Sequence, residues 1–253
     1  MIDTHCHILY GVDDGPTTFE ETTEMLKKAA AEGITTICAT SHFDKGALHV
    51  PATIVQQQVA NLQQYISAQQ LGIRLVAGHE ITLNKRTVQK IIDGEALPLG
   101  NSRYVLLELP SRHLPSDIDE VLHELQVQGY LPIIAHPERQ QMIIKSPQTV
   151  MRLIHLGAYT QVTAPSLVGY YGKHVQKTAW QLVAMGAVHF IGSDAHDSTH
   201  RTFYMRAAEA AFHQAEKSHN WIEYQHNNYQ ILCNERVEVP LPQITKRRWW
   251  QLR

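Results

Sequence analysis

The sequence predicts an α/β protein on a parallel sheet, folded as a closed or nearly closed (β/α) barrel, with an open doubly wound sheet as the alternative. Three observations predict it. Seven short apolar, β-branched runs recur along the 253 residues, at 2–5, 35–40, 73–77, 104–109, 131–135, 159–163 and 187–191. Their first residues are 27 to 38 apart, the length of one strand, one helix and two loops. The runs are near-continuous in hydrophobicity instead of alternating, as in strands covered on both faces.

The elements follow in order. After run 2–5, Thr18 and Glu21 are spaced as a capping box that opens a helix, and Gly33 supplies its stop. The second run leads into a helical segment ended by Gly72. Beyond the third and fourth runs, Ser116 is placed to cap a helix through Val127, with Gly129 after it. The fifth run is followed by Ser146 and Pro147, an N-cap and N1 pair, in a segment that stops at Gly157. The segment between the sixth and seventh runs stops at Gly186. Barrels of about 250 residues commonly form one domain, so residues 1–238 are expected to form it. The stretch 239–253, with its prolines and the basic aromatic cluster Lys246-Arg-Arg-Trp-Trp-Gln-Leu-Arg253, is expected to be an appendage.

Composition narrows the function classes. Acidic residues number 24 against 22 Lys and Arg, a net charge of -2 that gives nucleic acid no basic surface. No run approaches the roughly 18 unbroken apolar residues of a membrane span. Three widely separated cysteines form no disulfide framework. The N-terminus has neither a basic region nor an apolar signal segment, so a cytoplasmic address is expected. One count is unusual: 16 histidines. Those in helix-like polar runs, such as His123, His155, His213 and His219, read as solvated surface residues.

The other histidines stand at strand ends, where parallel α/β folds collect their functional groups. The first run ends in Asp3-Thr4-His5-Cys6-His7 and is followed by Asp13-Asp14-Gly15; the second runs into Ser41-His42. The third ends in Gly78-His79-Glu80, the fourth in Glu108, the fifth in His136-Pro137-Glu138-Arg139, and the seventh in Ser193-Asp194-Ala195-His196, with Arg201 beyond. An H-x-H in an extended chain puts both imidazoles on one face, a ready metal clamp, and Asp194-x-His196 repeats the spacing. A structural hydrogen-bond network is the plainer explanation. Four carboxylates at one mouth would repel unless cations were present, however, and mixed nitrogen and oxygen donors suit Mn, Fe or Zn.

The order H-x-H, D-D-G-P, S-H, E, E, H-P-E-R and S-D-x-H resembles the polymerase and histidinol phosphatase (PHP) metallohydrolases. Met1-Ile-Asp-Thr-His-Cys-His with Val12-Asp-Asp-Gly-Pro16, and Ile134-Ala-His-Pro-Glu-Arg139, resemble more closely the manganese-dependent protein-tyrosine phosphatases of capsule and exopolysaccharide loci. The resemblance runs from Met1 to about Asn234. It implies a distorted (β/α)7 barrel holding three divalent metals, with Mn2+ first and Fe or Zn as alternatives. His5, His7, Glu80 and Asp194 would hold one ion; Glu80 would bridge to a second held by Glu108 and His136; Asp14, rather than Asp13, would join His42 and His196 at the third. Cys6, His79 and Thr163-Ala-Pro-Ser166 depart from the usual pattern, and the loop from Thr163 to Tyr171 is a candidate lining of the substrate cleft.

The function so implied is hydrolysis of phosphotyrosine by a hydroxide held between metals, with Arg139 and Arg201 gripping the phosphate. Three divalent ions would outweigh four carboxylates and that hydroxide by one positive charge, and the two arginines add two more, so a phosphate dianion is a fitting guest. Tyrosine, with a pKa of about 10, leaves as phenolate more readily than an alkoxide would. A cysteine-dependent phosphatase is excluded, because the position six residues after each cysteine is Val12, Asp44 or Val239 and never arginine. The alternatives are a PHP phosphoesterase on a small phosphomonoester such as histidinol phosphate, and a non-catalytic metal-binding adaptor. The resemblance implies a bacterial tyrosine kinase of a polysaccharide-synthesis complex as partner, its phosphotyrosine tail as substrate, and a station at the inner membrane face. The basic, tryptophan-bearing tail gives peripheral membrane contact a route. A homo-oligomer is left open.

Overall fold

The computed structural model of the chain describes residues 1–110, 114–215 and 220–238. Seven parallel strands, β1 (Ile2–Cys6), β2 (Thr36–Phe43), β3 (Arg74–Thr82), β4 (Tyr104–Glu108), β5 (Leu131–Ala135), β6 (Tyr159–Thr163) and β7 (Phe190–Gly192), lie in strictly sequential order. Among the described residues ten α-helices and a 3-10 turn (Pro137–Arg139) connect or follow them: α1 (Phe19–Ala31), α2 (Ala52–Ala68), α3 (Thr87–Ile92), α4 (Ile118–Val127), α5 (Gln141–Lys145), α6 (Thr149–His155), α7 (Ala164–Val168), α8 (Lys173–Ala184), α9 (Met205–Gln214) and α10 (Trp221–Leu232). An open doubly wound sheet reverses its strand order at a switch point, and this sheet never does. Its edges meet instead: His5 and His7 exchange backbone hydrogen bonds with Asp194 and Ala195 at 2.8 and 2.9 Å, and Cys6 bridges Ala195. The result is a nearly closed barrel.

Side chains alternate across the strands. Val105 and Leu107 of β4 pack outward with Val121, Leu122 and Leu125 of α4, whereas Tyr104 and Leu106 point the other way, toward Ile133, Tyr159 and Phe190. The segment after α10 closes the end of the barrel where the strands begin. There the Val237 amide donates to the Tyr104 hydroxyl at 2.9 Å, and the Tyr104 and Tyr159 hydroxyls donate to the Glu235 and Val237 carbonyls. The opposite end is left for polar groups. The β2–β3 ladder continues to His42 opposite Glu80 and Phe43 opposite Ile81, which carries those two site residues up to the open mouth.

The local signals are followed unevenly. Thr18 caps α1 by accepting from the Glu21 amide at 3.2 Å, but the Glu21 carboxylate reaches Thr17 instead of completing the box. Ser146 does not begin a helix. It ends α5, and the chain turns through Pro147 into α6, whose N-cap is Gln148. Ser116 does not cap α4 either: the N-cap is Asp117, and the Pro115 carbonyl takes the Ile118 amide. The seventh strand begins at Phe190, not at 187, because the Ala187 amide is bound to Leu182 in the helix end that Gly186 turns at φ +65°. His123, His155 and His213 are exposed, whereas His219 and the appendage 239–253 lie outside the described residues.

Candidate metal centre

All nine residues expected as ligands converge at the strand ends. Their donor atoms form three overlapping groups: His5, His7, Glu80 and Asp194; His7, Asp14, His42 and His196; and His42, Glu80 and Glu108. His136 adjoins the last, with Nε2 2.6 Å from Glu80 Oε1 and 3.9 Å from Glu108 Oε1. Glu80 is the hub. Its Oε1 meets His136 while its Oε2 lies 3.5, 3.3 and 3.0 Å from His5, His7 and His42. Two of the positions differ from the expected division, since His7 also faces the Asp14 group and His42 also faces Glu80.

The backbone is shaped to bring these atoms together. His136 and Asp194, each immediately or soon after a strand, have φ of +34° and +54°, a region non-glycine residues enter at a cost that clusters at functional sites. Gly15 lets the Asp13-Asp14 loop fold onto β1, because a Cβ there would lie 2.5 Å from the His7 carbonyl oxygen. That fold separates the two aspartates by role. Asp13 accepts from His7 Nδ1 at 2.9 Å and from the His42 and Gly15 amides, while Asp14 directs Oδ1 at His42 Nε2 and His196 Nε2, each 3.2 Å away.

The imidazoles are held from behind. Gln161 Oε1 meets His5 Nδ1 at 2.9 Å while its amide nitrogen donates to Thr4, and the Asp194 carbonyl meets His196 Nδ1 at 2.9 Å. Such outer partners fix the tautomer so that the opposite nitrogen presents its lone pair inward. His5 Nε2, His7 Nε2, His196 Nε2, His42 Nδ1 and Glu80 Oε2 are buried and crowd within 3.0 to 3.5 Å of opposing nitrogens or carboxylate oxygens, yet none is aligned to form a hydrogen bond. Unpartnered buried donors of this kind are costly in a structural network and are what a divalent cation satisfies. The residues therefore fit the ions that the sequence implies.

Charge states agree with that fit in part: burial opposes protonation of His7 and His42, yet Asp13 beside His7, and Asp14 with Glu80 beside His42, push both up, so a bound cation would displace those protons. Burial opposes ionisation of Asp194 and Glu80, yet Arg139 and His5 hold Asp194 well below the usual carboxylate range, and His5 with His136 does the same for Glu80. Burial, reinforced by His7, pulls His196 down to about 4, so it stays neutral and able to ligate at pH 7. At the rim, Arg139 Nη1 lies 2.7 Å from Asp194 Oδ2, and Arg201 lies 3.5 Å from Asp194 and 3.6 Å from Asp14.

Sequence reasoning missed several partners. Lys45 lies 3.1 Å from Glu108 and 3.0 Å from His42 Nε2, and its position two residues beyond β2 was the available signal. Gln161 sits inside a strand run and carries no such signal, because a lone glutamine there reads as polar filler. His79 serves packing: its Nδ1 accepts from the Leu97 amide at 2.9 Å, and burial pulls it down to about 4. Cys6 is fully buried in the hydrophobic cluster against Ile37 and Ala39, away from the ligands.

Comparison with known proteins identifies the family. Residues 1–232 match the sequence profile of the family described as capsular polysaccharide synthesis, CpsB/CapC. CapC of Staphylococcus aureus is 34% identical over 260 residues, covering 100% of both chains. The tyrosine-protein phosphatase YwqE of Bacillus subtilis is 32% identical over 248 residues, 98% of each chain. A chain from the crystal structures of YwqE and of CpsB from Streptococcus pneumoniae, metal-dependent tyrosine phosphatases, superposes with a TM-score of 0.93 at 32% identity, covering 98% of this chain and 100% of that one. The lactonase Lmo2620 of Listeria monocytogenes, at 12% identity and a TM-score of 0.52, covers 92% of each chain and shares the barrel alone.

Proposed function

Because the chain belongs to the CpsB/CapC family of capsular polysaccharide synthesis, we propose that it is a metal-dependent protein-tyrosine phosphatase, a phosphoric monoester hydrolase whose centre is the strand-end cluster. The observation that carries this is the pairing of two guanidinium groups, Arg139 and Arg201, with Asp194 and Asp14 at 2.7 to 3.6 Å on the edge of three overlapping ligand groups. His5, His7, Glu80 and Asp194 are assigned to one ion, Glu80, Glu108 and His136 to a second, and Asp14, His42 and His196 to a third, with Mn2+ first on the family resemblance and Fe or Zn as alternatives that the mixed donors also suit. Divalent ions there supply Lewis acidity and a nucleophile ionised near neutral pH.

The chain's own residues do the rest. Asp13 and Gln161 hold His7 and His5 in the ligating orientation, so the donor set is arranged before substrate arrives. Arg139 and Arg201 take phosphoryl oxygens in their N–H forks and neutralise charge as the ester bond to the aryl oxygen breaks. The leaving phenolate makes weaker demands on a proton donor than an alkoxide does, which favours aryl over alkyl esters.

The proposed substrate is the phosphotyrosine tail of a bacterial tyrosine kinase in a polysaccharide-synthesis complex, met at the inner face of the membrane. Membership in a capsule-synthesis family supports that partner. No helix among the described residues is long and apolar enough to cross a membrane. Rates on a phosphotyrosyl peptide and on histidinol phosphate, measured with Mn2+ and with a chelator, test the proposal. Metal-dependent turnover of the peptide well above that of histidinol phosphate is expected; the reverse preference, or turnover that survives chelation, would overturn it.

A further inference from the structure

The loop after α7 carries Gly169-Tyr170-Tyr171-Gly172, with positive φ at both glycines, +87° and +90°. Between the two reversals stand adjacent rings, the exposed Tyr170 and, against the site, Tyr171. Tyr170 meets Tyr171 edge-on at 5.0 Å and packs against Tyr204 at 5.4 Å, so the Tyr171 ring is braced from outside. On the site side the Arg139 Cζ lies 5.1 Å from the centroid of the Tyr171 ring, while the same guanidinium reaches Asp194 at 2.7 Å. The Tyr171 hydroxyl and Arg201 Nε are both buried without a hydrogen-bond partner.

We propose that Tyr171 is a positioning residue for the phosphate clamp: its ring holds the Arg139 guanidinium over the ring face and leaves the N–H donors to grip the substrate phosphoryl group. The inference rests on the phosphatase reading of the site. Two anchors hold Arg139, and they use different parts of it. The ion pair with Asp194 occupies N–H donors, the same groups that must grip phosphate, and Asp194 is also a proposed metal ligand. The ring contact places the guanidinium carbon over the ring face and is electrostatic and dispersive, so it claims no N–H donor as an ion pair does and persists when the donors change partner. Burial and the nearby Asp194 charge push the Tyr171 pKa up, outweighing Arg139 and Arg201, so the ring stays neutral.

The test compares full-length, Mn2+-loaded wild type with Tyr171→Phe, Tyr171→Leu, Arg139→Ala and the double variant Tyr171→Leu with Arg139→Ala. Calorimetric affinity for inorganic phosphate, kcat and KM on a phosphotyrosyl peptide, metal content and melting temperature are measured. Tyr171→Leu should weaken phosphate binding and lower kcat/KM about five- to thirty-fold at unchanged metal content, whereas Tyr171→Phe should stay within about twofold of wild type. In the Arg139→Ala background the leucine substitution should add little, since the ring has lost the group it holds. Should Tyr171→Leu fail to fold, Tyr171→Met removes the π face with less change of shape. Wild-type phosphate affinity in the leucine or methionine variant, an equal loss in Tyr171→Phe, or full additivity with Arg139→Ala would each overturn the proposal. A wild-type protein that binds phosphate but turns over no phosphotyrosine would sink the phosphatase reading alone, because the phosphate-binding comparison does not depend on turnover.

Discussion

His42 and Glu80 are direct neighbours across the β2–β3 ladder, and their side chains meet with Nδ1 3.0 Å from Oε2. The other nitrogen of the same imidazole lies 3.2 Å from Asp14 Oδ1. One histidine thus touches two of the three donor groups, where the sequence resemblance assigned it to a single ion. Replacing it with alanine should reduce bound metal by more than one equivalent. Metal analysis after dialysis at controlled Mn2+ checks this, and loss of a single equivalent would show that His42 serves only the ion to which it is assigned.

Glu80 has the wider reach, with Oε1 2.6 Å from His136 and Oε2 within 3.5 Å of His5, His7 and His42. Glu80→Gln keeps the volume and removes the charge that neutralises this set. Activity should fall further than the roughly 10- to 100-fold typical of losing an outer partner of a ligand, and metal content should fall with it. Asp13→Asn, which alters the outer partner of His7 and an acceptor of the His42 and Gly15 amides but none of the proposed ligands, should stay within that smaller range. A Glu80→Gln protein with full metal content and wild-type rate would remove the bridging assignment.

Thiol chemistry separates this centre from a cysteine-based one. Cys6 and Cys38 are buried, and burial pushes both thiols well above their ordinary pKa, while Cys233 is exposed. Iodoacetamide should modify Cys233 and leave turnover intact, whereas a strong chelator should abolish it and added Mn2+ restore it. Inactivation by alkylation with resistance to chelation would refute the metal mechanism.

Much of this architecture was legible because two periodic signals coincide. Apolar runs gave seven strands, and glycines at helix ends separated them, so sequential parallel order was the economical reading. His5, His7, Asp194 and His196 were visible because ligands two apart on an extended chain share a face. What stayed hidden depends on side chains whose partners are distant in sequence. Gln161 orients His5 from 156 positions away, and Tyr171 reaches Arg139 only because the barrel brings the ends of β5 and β6 side by side. Caps at Ser116 and Ser146 were misplaced for a local reason: backbone carbonyls and short turns had already taken the amides that those hydroxyls would have capped.

His189 provides a pH dependence independent of the metals. It is buried beneath β7, its Nδ1 accepts from the Thr160 amide at 3.1 Å, and burial pulls it down to about 4 from an ordinary 6.5. The unfolded chain takes up this proton near 6.5 and the folded one only near 4, so its contribution is fully present above 6.5 and is lost as pH falls toward 4. The shift corresponds to roughly 3 kcal/mol at most. His189→Gln removes the titration, so the stability difference between wild type and variant in urea should shrink over this window. A difference constant from pH 7 to 4 would show that His189 does not exclude its proton.

Arg201 is held less by its side chain than by the loop that carries it. The Asp197 carboxylate accepts from the Thr199, His200 and Arg201 amides at 2.7, 2.6 and 3.0 Å, and the Arg201 carbonyl accepts from the His196 amide at 2.7 Å. The turn therefore couples a proposed metal ligand to a phosphate-binding guanidinium through backbone bonds. Arg201→Ala removes no proposed ligand, so metal content and melting temperature should hold while kcat/KM falls one to two orders of magnitude, the equivalent of about 1.5 to 3 kcal/mol for a lost charge-assisted contact. Arg201→Lys should recover part of that, because a point charge lacks the fork. Asp197→Ala should loosen the turn and lower kcat/KM by a smaller factor, and in the Arg201→Ala background it should add almost nothing. Undiminished kcat/KM in Arg201→Ala would leave Arg139 as the sole phosphate clamp, and an additive Asp197 effect would mean that the turn acts through His196 instead.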